Sequence, residues 1–146
     1  MPATPDPTPS ALPDDEDLIA VARVAQENAY SPYSKVCVGA ALVAADGRVF
    51  TGCNVENASL GLTQCAERAA LSRAVAEGVR RFSAVVITSS FDDPLMPCGA
   101  CRQVLREFAA DLRVVSVGMG GGRRESSLRE LLPEAFEPGD LRGGSR

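Results

Sequence analysis

The chain is 146 residues long, 45% hydrophobic and 23% charged, with a formal net charge of −4. That length suits one domain with one continuous core, in a composition ordinary for a globular protein. The acidic balance, with an isoelectric point near 4.9, offers no field for a polyanion and argues against long nucleic acid as a partner. No stretch approaches the roughly 20 apolar residues of a membrane span.

Residues 1 to 13 carry five prolines and almost no large apolar groups, so a disordered tail is expected there. Their opening also lacks the basic and apolar regions of a secretory signal, which points to a cytoplasmic protein. An odd count of five cysteines argues against a disulfide framework in such a chain. The sequon Asn57-Ala58-Ser59 then carries no meaning, because it acts only in the secretory path.

Acids at Asp14, Asp15, Glu16 and Asp17 precede the apolar series Leu18, Ile19, Val21, Ala22 and Ala25. That order places negative charge at the positive end of a first helix, predicted to end near Tyr30. Ser31 to Ser34 reads as a loop. Val36 to Ala44 reads as a buried strand, Asp46-Gly47 as a hairpin turn, and Val49 to Asn54 as the partner strand.

Cys65 to Glu77 is rich in alanine and leucine and stops at Gly78, the pattern of a helix with a C-terminal glycine. Phe82 to Ser89 predicts a central strand, Cys98 to Phe108 an amphipathic helix, and Val114 to Val117 a further strand. Gly118 to Gly122 lacks a following Lys-Ser/Thr, so it reads as a hairpin loop and not a phosphate cradle. A last strand near Arg124 to Ser126 and a helix near Leu128 to Leu132 follow. Arg80-Arg81 and Arg123-Arg124 are read as solvated turn residues.

The order α-β-β-α-β-α-β-β-α implies an α/β fold, a single-domain α-β-α sandwich whose mixed sheet carries helices on both faces. The domain is expected over residues 14–137, with 138–146 a frayed C-terminal tail.

The chemistry concentrates in Cys65-Ala66-Glu67 and Pro97-Cys98-Gly99-Ala100-Cys101. Both motifs open a predicted helix after a loop, where sites in such folds sit. Cys98 and Cys101 lie three apart on one helical face, and a helix N-terminus favours the thiolate that binds metal. The chain has no histidine, so a zinc site must use cysteine or carboxylate. Three ligands with an open fourth position make a catalytic zinc, whereas a structural site is normally closed by four. A structural Zn2+ site would have to recruit Cys37 or Cys53, which read as small buried hydrophobes in strands. A redox pair at Cys98 and Cys101 leaves Cys65 and Glu67 unexplained.

Glu67 is placed to take a proton from an activated water and pass it to a ring nitrogen and then to a leaving amine. By itself it would read as a first-turn acid on the helix dipole. Set between the cysteines it matches the signature of the zinc deaminases, which pair such a glutamate with P-C-x-x-C. Three thiolates over-neutralise Zn2+, so compensating positive charge is needed. Arg68 is the first candidate to hydrogen-bond the sulfurs and Arg102 a weaker one. Asn54 and Glu56 lie on one side of an extended segment and can bind sugar hydroxyls; in isolation a capping Asn and a solvated Glu are the simpler reading.

Five blocks together carry a family resemblance: Ala29 to Ser34, Val38 to Leu42, Gly52 to Ser59, Gly61 to Arg68 and Pro97 to Leu105. They resemble the cytidine deaminases of pyrimidine salvage, and among those the short, homotetrameric, three-cysteine type. The likeness covers about residues 18–137 and includes Glu130 to Phe136. It implies a five-stranded sheet and hydrolytic deamination of cytidine and deoxycytidine to uridine and deoxyuridine.

The resemblance further implies that Cys65, Cys98 and Cys101 bind zinc and that Glu67 moves the proton. It assigns Asn54 and Glu56 to the ribose, with Val36 and Ala66 at further substrate-facing positions. Phe136 would pack on the base from a neighbouring subunit, and the alanine-rich face of Cys65–Glu77 would suit a subunit interface as well as a core contact. Two positions depart from the family pattern. Val36 and Leu60 stand where aromatic residues are usual, a loss of roughly 0.5–1.5 kcal/mol of ring contact that also opens room for a modified base. The alternative substrates are therefore a modified cytosine nucleoside or a cytosine-containing antibiotic of the blasticidin kind, with a non-catalytic zinc module as the rival from another class.

Overall fold

The computed structural model describes residues 12–142. In chain order it contains α1 (Asp15–Glu27), β1 (Val38–Ala44), β2 (Val49–Cys53), α2 (Ala66–Ala76), β3 (Phe82–Ser89), α3 (Gly99–Arg106), β4 (Arg113–Val117), β5 (Arg123–Ser127) and α4 (Leu128–Leu131). The five strands form one sheet in the order β2-β1-β3-β4-β5. Only β3 and β4 run parallel; α3 is the helix that crosses between them.

Alternation along the strands divides the core in two. Ala41, Val43, Ala84, Val86 and Val115 face α1 through Leu18 and Ala22. Ala40, Leu42, Val85, Ile87 and Val114 face α2, α3 and α4 through Leu71, Leu105 and Leu128. The expected sandwich with helices on both faces is therefore the observed one. Leu42, Ile87, Leu105 and Leu128 are fully buried, each contributing about 1.5–3 kcal/mol of apolar burial.

Local signals explain most element ends. Asp14 caps α1 by accepting the Asp17 N–H at 2.9 Å, which satisfies one of the orphan donors of a helix start. Gly78, at φ 87°, follows α2 in the left-handed conformation that glycine adopts without strain. Ser127 and Glu130 cap α4 reciprocally. Ala66, Ala70 and Ala74 are completely buried within the larger core, so the alanine face of α2 is a contact inside the chain.

Several expectations shift. The first helix ends at Glu27, not Tyr30, because the Tyr30 N–H turns to the Asn54 carbonyl at 3.0 Å. The first strand starts at Val38, not Val36, because Asn54 takes up the backbone there. Its amide nitrogen donates to the Val36 carbonyl and its oxygen accepts the Val38 N–H, both at 2.8 Å. Arg123 and Arg124 lie in β5 and not in a turn, and Arg123 pairs with Asp15. Cys37 and Cys53 are half-buried, and Cys37 precedes its strand. Residues 140–142, expected to fray, form a 3-10 turn. The tail expected over residues 1–13 falls, up to residue 11, outside the described residues, as do residues 143–146.

Candidate active site

Cys65 is the N-cap residue of α2 and Cys98 the N-cap residue of α3, and neither side chain makes a capping hydrogen bond. Their sulfurs are left free to meet. Cys101, one turn into α3, is completely buried. The three Sγ atoms lie within 4.8 Å of one another, with Cys65 and Cys98 at 3.9 Å. A tetrahedral zinc with Zn–S bonds of about 2.3 Å would set sulfurs about 3.8 Å apart. The donor set fits zinc in number, type and spacing. Among the described residues Cys37 and Cys53 take no part in this cluster; the Cys37 sulfur sits 3.3 Å from the Ser31 hydroxyl.

The electrostatics favour metal capture. The Cys65 thiol is pulled down to about 5, first by the hydrogen bond from Cys101 and then by those from Arg68 and Cys98. Cys101 is pushed up, because it keeps the shared proton and lies buried near Glu67. Arg68 donates to the Cys65 sulfur at 3.5 Å and to the Thr63 carbonyl at 3.1 Å, so the charge-compensating contact expected of it is present. Arg102 goes elsewhere. Its guanidinium ties the Pro97 carbonyl at 2.7 Å to the Leu131 carbonyl at 2.8 Å, bracing the loop ahead of α3 against the end of α4.

Glu67 is 5% exposed, and burial, more than the nearby Cys65, raises its carboxyl above the ordinary carboxylate range. It lines a cavity of about 250 Å³ together with Val36, Asn54, Cys65, Ala66 and Cys98. Ser34, Val38, Thr63, Ile87, Leu95 and Met96 complete the lining. Leu95 and Met96 escaped the sequence reading, although both directly precede Pro97-Cys98 and had to lie beside the metal cluster. Among the described residues no aromatic side chain lines the cavity.

Asn54 is 8% exposed and spends one N–H and one oxygen lone pair on the Val36–Val38 backbone. One of each remains. Glu56 lies outside the cavity lining, where it accepts the Tyr33 N–H at 2.9 Å, the Ser34 N–H at 3.2 Å and the Ser34 hydroxyl. Those bonds, the Ser34 hydroxyl first, lower its carboxyl. Phe136 and Leu60 are both exposed and are not brought to the cavity of their own chain; the Phe136 carbonyl accepts from Gln103 at 2.9 Å.

A family model described as the cytidine and deoxycytidylate deaminase zinc-binding region matches residues 12–118. The chain belongs to this deaminase family. Among its relatives, the cytidine deaminase of Sporosarcina psychrophila is 46% identical over 129 residues, covering 88% of this chain and 95% of that one. The Mycobacterium tuberculosis cytidine deaminase is 44% identical over 117 residues, 80% of this chain and 85% of that one. The crystal structure of the Burkholderia pseudomallei cytidine deaminase superposes with a TM-score of 0.82 at 50% identity, covering 85% of this chain and all of that one. Zinc is the metal of the family, and Cys65, Cys98 and Cys101 form the cluster able to hold it among the described residues.

Proposed function

We propose that the protein is a zinc-dependent cytidine deaminase, hydrolysing cytidine and deoxycytidine to the uracil nucleosides and ammonia in pyrimidine salvage. The observation that carries this is a cluster of three convergent cysteine sulfurs, two of whose residues, Cys65 and Cys98, line a cavity of about 250 Å³ together with the buried Glu67. Cys65, Cys98 and Cys101 would hold the zinc, which would supply a Lewis acid that eases removal of a proton from water near neutral pH. Glu67 is placed to take a proton from the attacking water, whose oxygen would add to the ring carbon bearing the amine. It would give that proton to the ring nitrogen, take a second from the added hydroxyl as the carbonyl forms, and pass the second to the amine, which leaves as ammonia. Its burial suits the task, because a carboxyl of raised proton affinity holds each proton between its removal and its delivery.

Ala66 and Val36 flank the base in this reading, and Asn54 and Glu56 offer their remaining donor and acceptor to the sugar. Residues 14–137 act as the catalytic domain, in a cytoplasmic homotetramer where Phe136 of each chain completes a neighbour's site. Sedimentation of the purified protein tests the assembly, since a monomer with full activity removes that role from Phe136. The aliphatic wall at Val36 favours, as a second reading, a cytosine nucleoside modified on the base.

Ultraviolet-monitored turnover of cytidine and deoxycytidine by the zinc-loaded protein, beside Glu67→Ala, tests the main reading. Turnover by the native chain alone is expected. A folded, zinc-loaded sample inert on both nucleosides would shift the assignment to the modified base.

A further inference from the structure

Between Tyr33 and Val38 the chain reaches the cavity along a path it does not adopt by preference. Lys35 sits at φ 63°, a left-handed conformation disfavoured for any residue with a Cβ. Its neighbours on either side, Ser34 and Val36, both line the cavity. Something must hold this segment, and the Ser34 hydroxyl and the Glu56 carboxylate take most of the bonds that do so. Ser34 Oγ accepts the Val36 N–H at 3.0 Å and donates to the Glu56 carboxylate. Glu56 also takes the backbone N–H groups of Tyr33 and Ser34, and Asn54 binds the Val36 carbonyl from the other side. The two residues assigned to the sugar thus also grip the wall that faces the base.

We propose that Ser34 is a positioning residue, whose hydroxyl transmits the place of the Glu56 carboxylate to the cavity wall at Val36. This rests on the reading that the cavity takes a cytosine nucleoside. Two carboxylate oxygens offer about four acceptor sites, and three donors already occupy Glu56. A sugar hydroxyl taking the last site meets a carboxylate whose geometry also fixes Val36. Recognition of the sugar and the shape of the base wall are then set by the same group. Ser34 touches no reacting atom, and Glu67 and the cysteines stand on α2 and α3, so the effect falls on binding and not on chemistry.

The test uses Ser34→Ala, Ser34→Thr, Glu56→Gln and the Ser34→Ala/Glu56→Gln double variant, all as the zinc-loaded full chain. Steady-state kinetics on cytidine are read beside amide hydrogen exchange at residues 33–38. Ser34 is exposed, so its truncation opens no cavity in the core. Ser34→Ala is expected to raise KM roughly tenfold, as loss of a hydrogen bond to a charged group does, with kcat within about twofold of native. Ser34→Thr keeps the hydroxyl and restores KM. The double variant is expected to be no worse than Glu56→Gln alone, because the two groups act in series. The Val36 amide loses protection in Ser34→Ala and in Glu56→Gln and keeps it in Ser34→Thr. An unchanged KM, multiplicative effects in the double variant, or unaltered Val36 protection in Ser34→Ala each overturns the proposal. Should the native protein leave cytidine unchanged, the functional reading falls on its own, and the exchange measurement decides the Ser34 link.

Discussion

Under α1 the sheet meets an apolar cluster, Leu18, Ala22, Ala41, Val43, Ala84 and Val86 among them, with the uncharged Gln26 buried beside it, and an acid–arginine network stands at its rim. Asp15 there receives both guanidinium nitrogens of Arg113 at 2.7 Å and a further bond from Arg123, while Glu125 bridges the same two arginines. Under α2 and α3 the sheet meets a larger core with titratable groups set into it. Cys101 is wholly buried, Glu67 nearly so, and Cys65 half-buried. Rim charges keep their hydration and contribute little each. Charges set into the core shift their proton affinities, and that shift is what a proton-transfer site needs. One face is built to hold the fold and the other to hold chemistry.

The largest break in that contrast should come from Cys101→Ser, which is expected to abolish zinc retention and turnover together. Metal analysis by atomic emission beside the activity assay checks this. Next in size, Glu67→Gln should lower kcat by about 10²–10⁴-fold while zinc stays bound. Its thermal midpoint should equal or exceed that of the native chain, since a neutral isostere replaces a buried carboxyl. A large drop in stability would show that Glu67 serves the fold.

A matched pair sharpens the comparison. A Cβ at Gly39 would fall 2.0 Å from the Ala22 carbonyl in α1, and one at Gly52 would fall 2.5 Å from Ala66 O and Ala70 N in α2. Gly39→Ala and Gly52→Ala are each expected to cost about 1–3 kcal/mol of stability, read by denaturant titration. Only Gly52→Ala should also weaken zinc binding, because α2 carries Cys65 and Glu67.

Smallest is the effect of Asp15→Asn. The Asp15 carboxyl is held well below its ordinary range, first by the hydrogen bond from Arg113 and then by that from Arg123. A depressed folded value contributes stability that is present above the unfolded pKa, near 3.9, and is lost as pH falls through the folded value. The partly exposed pairs limit this to roughly 0.2–1 kcal/mol. The difference between native and Asp15→Asn should be full at pH 7 and shrink below about pH 4, with kcat unaltered.

The sequence was most readable where a signal is local. Phe82–Ser89 is legible with its observed ends because the apolar run Ala84–Ile87, flanked by the strand-favouring Phe82 and Thr88, admits little else, and Gly78 marks the end of α2 because the left-handed position after a helix selects glycine. Cys65, Glu67, Cys98 and Cys101 were legible because metal chemistry demands particular residue types at particular spacings. Long-range bonds left no such trace. The Glu56–Ser34 contact spans 22 residues, and nothing in either residue announces it. Read alone, Asn54 and Glu56 looked like a loop cap and a solvated acid, and both do bind backbone; the resemblance added the second use. Arg102 was misplaced for a related reason, since its carbonyl partners at Pro97 and Leu131 are separated along the chain and carry no sequence mark.

Strand β3 lies between β1 and β4 in the sheet, while in the chain it lies between Cys65 and the Cys98–Cys101 pair. The β1–β2 hairpin and α2 are contiguous in sequence, but they carry a single sulfur of the cluster. The other two follow β3 in the chain, at the start of α3. The complete three-sulfur site is therefore a property of the closed sheet, present only where the starts of α2 and α3 are held side by side.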